Sequence, residues 1–366
     1  EVANNEQKLA LTTLLNKRVN VPQDGFFMFN PTLSPRQEVV ALDGKKFLSP
    51  KVPSFGYAVV TANSLECCQD DFTPLSQPPL VENDFFIVNF AENGSLARIY
   101  DKSLQRDLLS ACANEFTYTR DNHATFHRPQ KASFEISQNN LETIVRCNMD
   151  EPISQAAIET TYVFPNNKKR IDITNKLQHV RDLINTKRYY RYGYFAFPFQ
   201  VENARFYAQL NGCVATPGID QTGHGTDTYL AAREWCCVEG NHYGVGLIQL
   251  DSHLVEFGKI HPDKTDYGSP ETGTGIYSYL FNDWLQMHTA GGDHVNPIFR
   301  YSIVPYQGTW QEANLPMLAD QAAHPMTVMP AEKHQGVLPE SKSFLSVNAS
   351  NLHLMVLKRA EDGDGL

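Results

Sequence analysis

From Val21 onward the chain consists of short apolar runs that end at Gly, Pro, Asn or Asp. This regular spacing of turn-forming residues constrains the fold more than any other feature. Short runs between turn-forming residues are typical of antiparallel strands. Asp43-Gly44 and Asn93-Gly94 are strong signals for β-hairpin turns. After residue 20, no segment keeps a helical period over about twelve residues. The sequence therefore predicts a mainly β fold, with one large antiparallel sandwich.

The clearest strand candidates share apolar or β-branched residues and a turn signal at one or both ends. They are Phe26–Phe29, Gln37–Leu42, Phe85–Phe90, Leu96–Tyr100, Ile158–Phe164, Arg170–Asn175, Tyr194–Phe199, Tyr243–Leu250 and Phe299–Val304. The Pro-rich stretch 314–342 shows little alternation, and we expect it to form a long surface connection.

One helix is predicted at the start, from Asn4 to Arg18, because its leucines follow a helical spacing. We expect this helix, residues 1–20, to close a helical bundle that lies upstream. Residues 21–73 would form a small β-domain or linking β segment, and residues 80–366 the large sandwich. The chain stops on the turn residues Glu361–Leu366, so we expect the large domain to be truncated at its C-terminal end.

The charge and cysteine content narrow the partners and the compartment. Acidic residues outnumber basic ones by 41 to 31, which gives a formal charge of −10. Nucleic acid and anionic membranes require a basic surface, and no long Lys/Arg run provides one, so we expect neither partner. Seven cysteines, two pairs of them adjacent, favour free thiols. Together with the lack of a signal-peptide pattern, this favours a cytoplasmic over a secreted protein.

Two loops carry the candidate binding residues. In the first, Asp220, Gln221 and His224 lie among glycines, which let a backbone approach a ligand. An ordered surface turn that satisfies its own backbone is the alternative. In the second, Asn282, Asp283 and Trp284 follow Tyr277 to Phe281, and this mixture of ring and polar side chains suits a carbohydrate. Alternating aromatic residues also fit the inward face of a strand.

The residues themselves indicate neither a catalytic group nor a metal ligand in this chain. His123 and His127 have a spacing that a helix would turn to one face, but the residues around them are not convincingly helical and the glutamate of the H-E-x-x-H motif is missing. No nucleophile elbow or phosphate-binding loop is present.

Thirteen short motifs, taken in order, resemble the C-terminal half of glycoside hydrolase family 38, the α-mannosidase family, in its bacterial-type branch. They are Phe29–Pro31, Pro35–Val40, Pro53–Tyr57, Glu82-Asn83, Gly94–Lys102, Arg106–Leu109, Phe195–Phe199, Asp220–Gly223, Glu234-Trp235, Tyr243–Val245, Tyr277–Trp284, Phe299–Ile303 and Lys358–Gly365. Each motif is weak alone, and their common order carries the resemblance.

This resemblance implies a galactose mutarotase-like supersandwich, preceded in the family by a catalytic α/β barrel and a three-helix bundle. The family's zinc ligands, nucleophile and acid/base carboxylate lie on the barrel, which has no counterpart in these residues. We therefore expect no cofactor in this chain, and zinc in the intact protein. The expected partners are the N-terminal barrel and a mannose-containing glycan, and the expected function is the non-catalytic part of a retaining α-mannosidase.

Two alternatives remain open at this stage. The first is a stand-alone carbohydrate-binding module. The second is a mutarotase-like sugar epimerase, which would need a His/Glu pair such as His179 or His224 with Glu234.

Overall fold

The structure is a computed structural model. It describes residues 2–119, 125–150, 157–178, 192–221, 229–261, 273–282 and 296–349, and also residues 352, 354, 356–358 and 360–363. The described chain forms two compact units, one of residues 1–69 with 316–366 and one of residues 70–315. The sequence-based boundaries lie at residues 20, 73 and 80.

The first unit contains two α-helices and six strands among its described residues. They are α1 (Val2–Arg18), β1 (Gly25–Asn30), β2 (Val39–Leu42), β3 (Lys45–Leu48), β4 (Gly56–Thr61), α2 (Leu315–Ala323, whose first residue belongs to the second unit), β25 (Thr327–Ala331) and β26 (Ser341–Ser343), with a short 3₁₀ helix at Ala62–Ser64.

The second unit is built of strands alone within its described part. They are β5 (Thr73–Leu75), β6 (Leu80–Glu82), β7 (Phe86–Phe90), β8 (Leu96–Asp101), β9 (Arg106–Asp107), β10 (Glu115–Thr119), β11 (Phe126–His127), β12 (Ala132–Gln138), β13 (Glu142–Asp150), β14 (Ala157–Pro165), β15 (Ile171–Gln178), β16 (Tyr192–Pro198), β17 (Arg205–Gln209), β18 (Val214–Ala215), β19 (Tyr229–Ala231), β20 (Trp235–Glu239), β21 (Tyr243–Gln249), β22 (Leu254–Gly258), β23 (Gly275–Asn282) and β24 (Ile298–Gln307).

The first unit is a sheet covered on both faces. Its strands lie in the order β25-β1-β4-β26, and all of these pairs are antiparallel. Phe27 and Phe29 of β1 pack with Leu11 and Leu15 of α1, whereas Met28 packs with the β2–β3 hairpin on the other face. Both faces of β1 are therefore buried, which explains its continuous apolar sequence.

The expectation of a surface connection over residues 314–342 is wrong. This stretch contains α2 and β25, and β25 pairs with β1 from Gly25↔Ala331 to Phe29↔Thr327. Pro330 hides the strand in the sequence because proline cannot donate a ladder hydrogen bond. β25 is an edge strand, however, and on its outer side no described neighbouring strand needs a backbone N–H donor.

The second unit contains two large antiparallel sheets that pack face to face. One has six strands in the order β11-β10-β16-β23-β22-β19, and the other has ten in the order β18-β17-β20-β21-β24-β15-β14-β13-β12-β5. Aromatic rings join them: the centroid of Phe197 lies 5.1 Å from that of Tyr301, and Phe206 lies 5.1 Å from Phe257. The β6–β9 sheet completes the core through Phe90, which packs on Tyr162 and Phe164.

The predicted fold class is therefore confirmed: mainly β, with a helix at the start, a small β unit and a large antiparallel sandwich. Both hairpins form where expected. Asp43 and Gly44 have φ values of 50° and 76° between β2 and β3, and Gly94 has 83° between β7 and β8. These positive φ angles explain why Asp-Gly and Asn-Gly mark the turns.

All seven cysteines are described, and each is a free thiol, as predicted. No described helix is long and apolar enough to cross a membrane.

Candidate functional site

The outer face of the six-stranded sheet is lined by tyrosines. On β22, Val255 and Phe257 point into the sandwich core, so the residue between them, Glu256, lies on the opposite face. Tyr192, Tyr194 and Tyr279 form a separate cluster on that face, with Tyr277 packed against it. We call these four residues the tyrosine layer.

Glu256 is the buried acid of this layer, with no exposed surface. The hydroxyl of Tyr194 donates to its Oε1 at 2.8 Å, and the backbone N–H of His261 donates to its Oε2 at 3.0 Å. Burial, followed by the nearby Glu256, raises the pKa of both Tyr194 and Tyr277. These hydroxyls therefore act as hydrogen-bond donors rather than as phenolates near neutral pH.

A β-bulge shapes the end of β23. The ring of Tyr279 stacks on that of Tyr194, with centroids 4.9 Å apart. The register between β16 and β23 shifts between Gly193 and Tyr194, so Leu280 has no partner in the ladder. Gly193 faces Phe281, whose ring occupies the space that a Cβ at residue 193 would need. The missing side chain thus lets the Phe281 ring lie directly on β16, and bulges of this kind redirect side chains at sheet ends.

A groove of about 280 Å³ opens at this end of the sheet, where β22 begins, β23 ends and β24 begins. Its walls are residues 251–254, residues 279–281 and Phe299. Asp251 forms an ion pair with Arg300: its Oδ2 accepts from Nε at 2.9 Å and its Oδ1 from Nη2 at 2.8 Å. The hydrogen bond with Asp251 raises the pKa of Arg300.

The predicted residues Asp220 and Gln221 lie in the turn after β18, at the edge of the ten-stranded sheet. Asp220 Oδ2 accepts from the backbone N–H of Thr216 at 2.6 Å, and Gln221 Oε1 accepts from that of Gly218 at 2.7 Å. These bonds match the alternative of a turn that satisfies its own backbone. His224 lies outside the described residues, and substrate contact by this loop stays a prediction.

Of the second predicted group, only the backbone of Asn282 is described. Asn282 is the last residue of β23 and pairs with Tyr192, so it adjoins the tyrosine layer. Asp283 and Trp284 lie outside the described residues. The structure places Asn282 on the six-stranded sheet and Asp220 with Gln221 at the edge of the ten-stranded one, and the role of each in sugar binding remains a prediction.

The described residues do not form a zinc site. Within them, no three His, Cys, Asp or Glu side chains converge to hold a metal ion. Of the two histidines considered from the sequence, His127 lies on β11 and His123 is not described. The zinc expected for the intact protein is therefore not assigned to any residue of this part of the chain.

The His/Glu pair of the epimerase alternative cannot be placed, because His179 and His224 both lie outside the described residues. Glu234 is described, and its Oε1 lies 3.2 Å from Nε of Arg233.

Sequence reasoning missed Glu256 and the Asp251–Arg300 pair. The signal for Glu256 was an ionisable residue inside the apolar run Leu254–Gly258, but such a residue in a strand usually faces solvent. Asp251 and Arg300 are 49 positions apart and carry no motif. Only the antiparallel alignment of β21 with β24 brings them together.

The solved structures that match this chain include two from Enterococcus faecalis. The first, described as a protein in glycosyl hydrolase family 38, has a TM-score of 0.69 and 14% identity, over 96% of this chain and 53% of that one. The second, described as an alpha-mannosidase from strain V583, has a TM-score of 0.63 and 13% identity, over 93% of this chain and 50% of that one.

A scan of protein-family models and a search of curated proteins both find no match. At these identities the structural matches establish the fold. Both units of this chain are covered by them, and the chain spans about half the length of the two matched proteins. The fold of this chain is thus shared with about half of each of the two matched proteins.

Proposed function

We propose that this chain is the non-catalytic β-rich part of an α-mannosidase-like glycoside hydrolase. One observation carries the proposal: nearly the whole chain superposes on half of a protein described as a family 38 glycosyl hydrolase. In the intact protein, the activity would be retaining hydrolysis of α-mannosides, with zinc and the reacting carboxylates held by an N-terminal barrel. The present chain would support that barrel and form part of the sugar pocket.

The surroundings of two of its buried carboxylates, Glu256 and Glu239, support a non-catalytic role. Retaining hydrolysis needs two carboxyl groups about 5–5.5 Å apart across the scissile bond. Glu256 binds Tyr194 and the His261 backbone, and Glu239 accepts from the Tyr306 hydroxyl at 3.1 Å and from the Trp310 backbone at 2.6 Å. Donors from the sandwich itself hold both groups, as expected for structural acids.

The test compares this chain with the longer polypeptide from the same gene. Both are assayed with aryl α-mannosides and a panel of other aryl glycosides, with and without added zinc. We expect turnover of α-mannosides by the longer polypeptide, with retention at the anomeric carbon by NMR, and none by residues 1–366.

Three results would overturn the proposal. Hydrolysis by residues 1–366 that is lost in the variants Glu256→Gln or Glu239→Gln would make this chain catalytic. A longer polypeptide that cleaves another glycoside but no α-mannoside would refute the substrate. Activity that persists in both variants and elutes with residues 1–366 on gel filtration would also make this chain catalytic, through other carboxylates.

A further inference from the structure

The groove at the end of β23 is lined by polar side chains and by aromatic rings. Tyr279 and Phe299 are largely buried, with 6% and 7% of their surface exposed, and Phe281 is half-buried between them and solvent. Asp251 and His253 are exposed at the opening. Its volume, about 280 Å³, lies just below the range of about 300–1,000 Å³ that is usual for drug-sized ligands. The groove therefore suits a ligand of a single ring.

The rim residues are held in place before any ligand arrives. Asp251 Oδ2 accepts from the backbone N–H of Arg300 at 2.8 Å as well as from its side chain, so the carboxylate is fixed to the start of β24. Each carboxylate oxygen still has acceptor capacity. Because the guanidinium of Arg300 is about half exposed, acceptor and donor groups lie side by side at the surface.

The hydrogen bond of His253 decides whether its second ring nitrogen, Nε2, donates or accepts. Nδ1 lies 2.7 Å from the carbonyl oxygen of Arg233, and a carbonyl can only accept, so Nδ1 carries the proton. In the neutral ring, Nε2 is then an acceptor. Asp251 and His253 thus both offer acceptors to a ligand rich in O–H donors.

We infer that this groove is a subsite for one hexose ring of a neutral glycan. A pyranose has apolar C–H faces that pack on aromatic rings and hydroxyl groups that donate to carboxylates and imidazole. The net charge of −10 disfavours an anionic sugar. The choice of mannose as the hexose rests on the proposed function, whereas the site itself rests on the groove.

The test uses the whole chain and methyl α-D-mannopyranoside as the probe. Saturation-transfer NMR should show binding with a Kd on the order of 1 mM, as usual for a ligand with so few atoms. Asp251→Asn and His253→Ala should each weaken the affinity by about fivefold to tenfold, since each removes an acceptor. Both residues lie at the surface, so circular dichroism should show an intact fold. Asp251→Asn should lose only a little thermal stability through its weakened pair with Arg300.

The matched control is Asp107→Asn, which removes an exposed aspartate that pairs with Arg98 on β8, away from the groove. This variant should bind like the unmodified chain. The inference fails if the sugar does not bind, or if it binds the groove variants and the control equally. Neither result bears on hydrolysis of α-mannosides by the longer polypeptide, so the two proposals fail separately.

Discussion

The hydroxyl of Tyr194 donates a 2.8 Å hydrogen bond to Glu256, and this bond joins β16 to β22 across the intervening strand β23. Both residues are fully buried. The bond keeps an acid inside a layer of rings that would otherwise exclude it, because a buried polar group without donors is costly.

We expect Tyr194→Phe to destabilise the second unit by about 1–3 kcal/mol, because a buried acceptor loses a donor. Urea unfolding of Tyr194→Phe, Glu256→Leu and the double variant forms a cycle that isolates the coupling, since each single variant removes one partner of the hydrogen bond. A coupling energy within about 0.5 kcal/mol of zero would show that the bond contributes nothing specific.

Arg36 should stabilise the end of α2. Its Nη1 donates to the carbonyl oxygen of Gln321 at 2.8 Å and its Nη2 to that of His324 at 2.6 Å, and the residue is 3% exposed. The last carbonyls of a helix lack intrahelical donors, and a cation there also complements the helix dipole.

We expect Arg36→Lys to cost about 1–3 kcal/mol in the free energy of unfolding, because an ammonium cannot reproduce the two-pronged contact. The control is Arg98→Lys, in an exposed pair with Asp107, which should cost less than about 1 kcal/mol. Equal losses in the two variants would contradict a capping role for Arg36.

The hairpin turns of this fold could be predicted from the residues that form them. The Asp43-Gly44 and Asn93-Gly94 hairpins form because their dipeptides tolerate positive φ, and no distant residue is needed. The pairing of β25 with β1 joins residues about 300 positions apart, and its energy depends on the partner strand rather than on the sequence of β25.

The candidate site is harder to predict. Along a strand, successive side chains point to opposite faces of the sheet, but this alternation does not indicate which face packs on the core. Tyr277 and Tyr279 were consistent with an inward strand face, yet the core lies on the side of Ile276. Both rings instead belong to the tyrosine layer on the opposite face. That layer becomes visible only when β16, β22 and β23 are aligned in one sheet.

Glu239 should make the stability depend on pH. Burial is the main cause that raises its pKa above the ordinary 4.5, and the nearby Glu312 adds to the shift. The pKa of Glu239 is higher in the folded than in the unfolded state. At a pH between these two pKa values, the folded chain therefore binds more protons than the unfolded chain. The free energy of unfolding must therefore fall as the pH rises through that window.

Glu239→Gln keeps an oxygen that can accept from Tyr306 and Trp310 but removes the charge. We expect the unmodified chain to lose stability relative to this variant as the pH rises from about 4, and the difference to level off above the raised pKa. Thermal unfolding of both proteins between about pH 4 and 8 measures this difference in stability. A difference that stays constant over this range would contradict the raised pKa.

Asn175 lies at the centre of a buried polar network in the sandwich. Its Nδ2 donates to Asn114 Oδ1 at 2.9 Å, and its Oδ1 accepts from Asn114 Nδ2 at 3.0 Å and from Thr160 Oγ1 at 2.7 Å. Asn114 also donates to the hydroxyl of Tyr162, which donates in turn to the Gly94 carbonyl. The network thus fixes the β7–β8 hairpin to β14 and β15.

We expect Asn175→Leu to destabilise the second unit by about 2–5 kcal/mol, since Asn114 and Thr160 each lose a buried partner. Lys176→Leu, the next residue on the same strand, is exposed in a pair with Glu159 and should cost less than about 1 kcal/mol. The double variant Asn114→Leu/Asn175→Leu should be less destabilised than the sum of the two single variants, because both partners of the amide pair are then apolar. Urea unfolding of these four variants and the unmodified chain measures the differences, and strict additivity would mean that the two amides do not act as a pair.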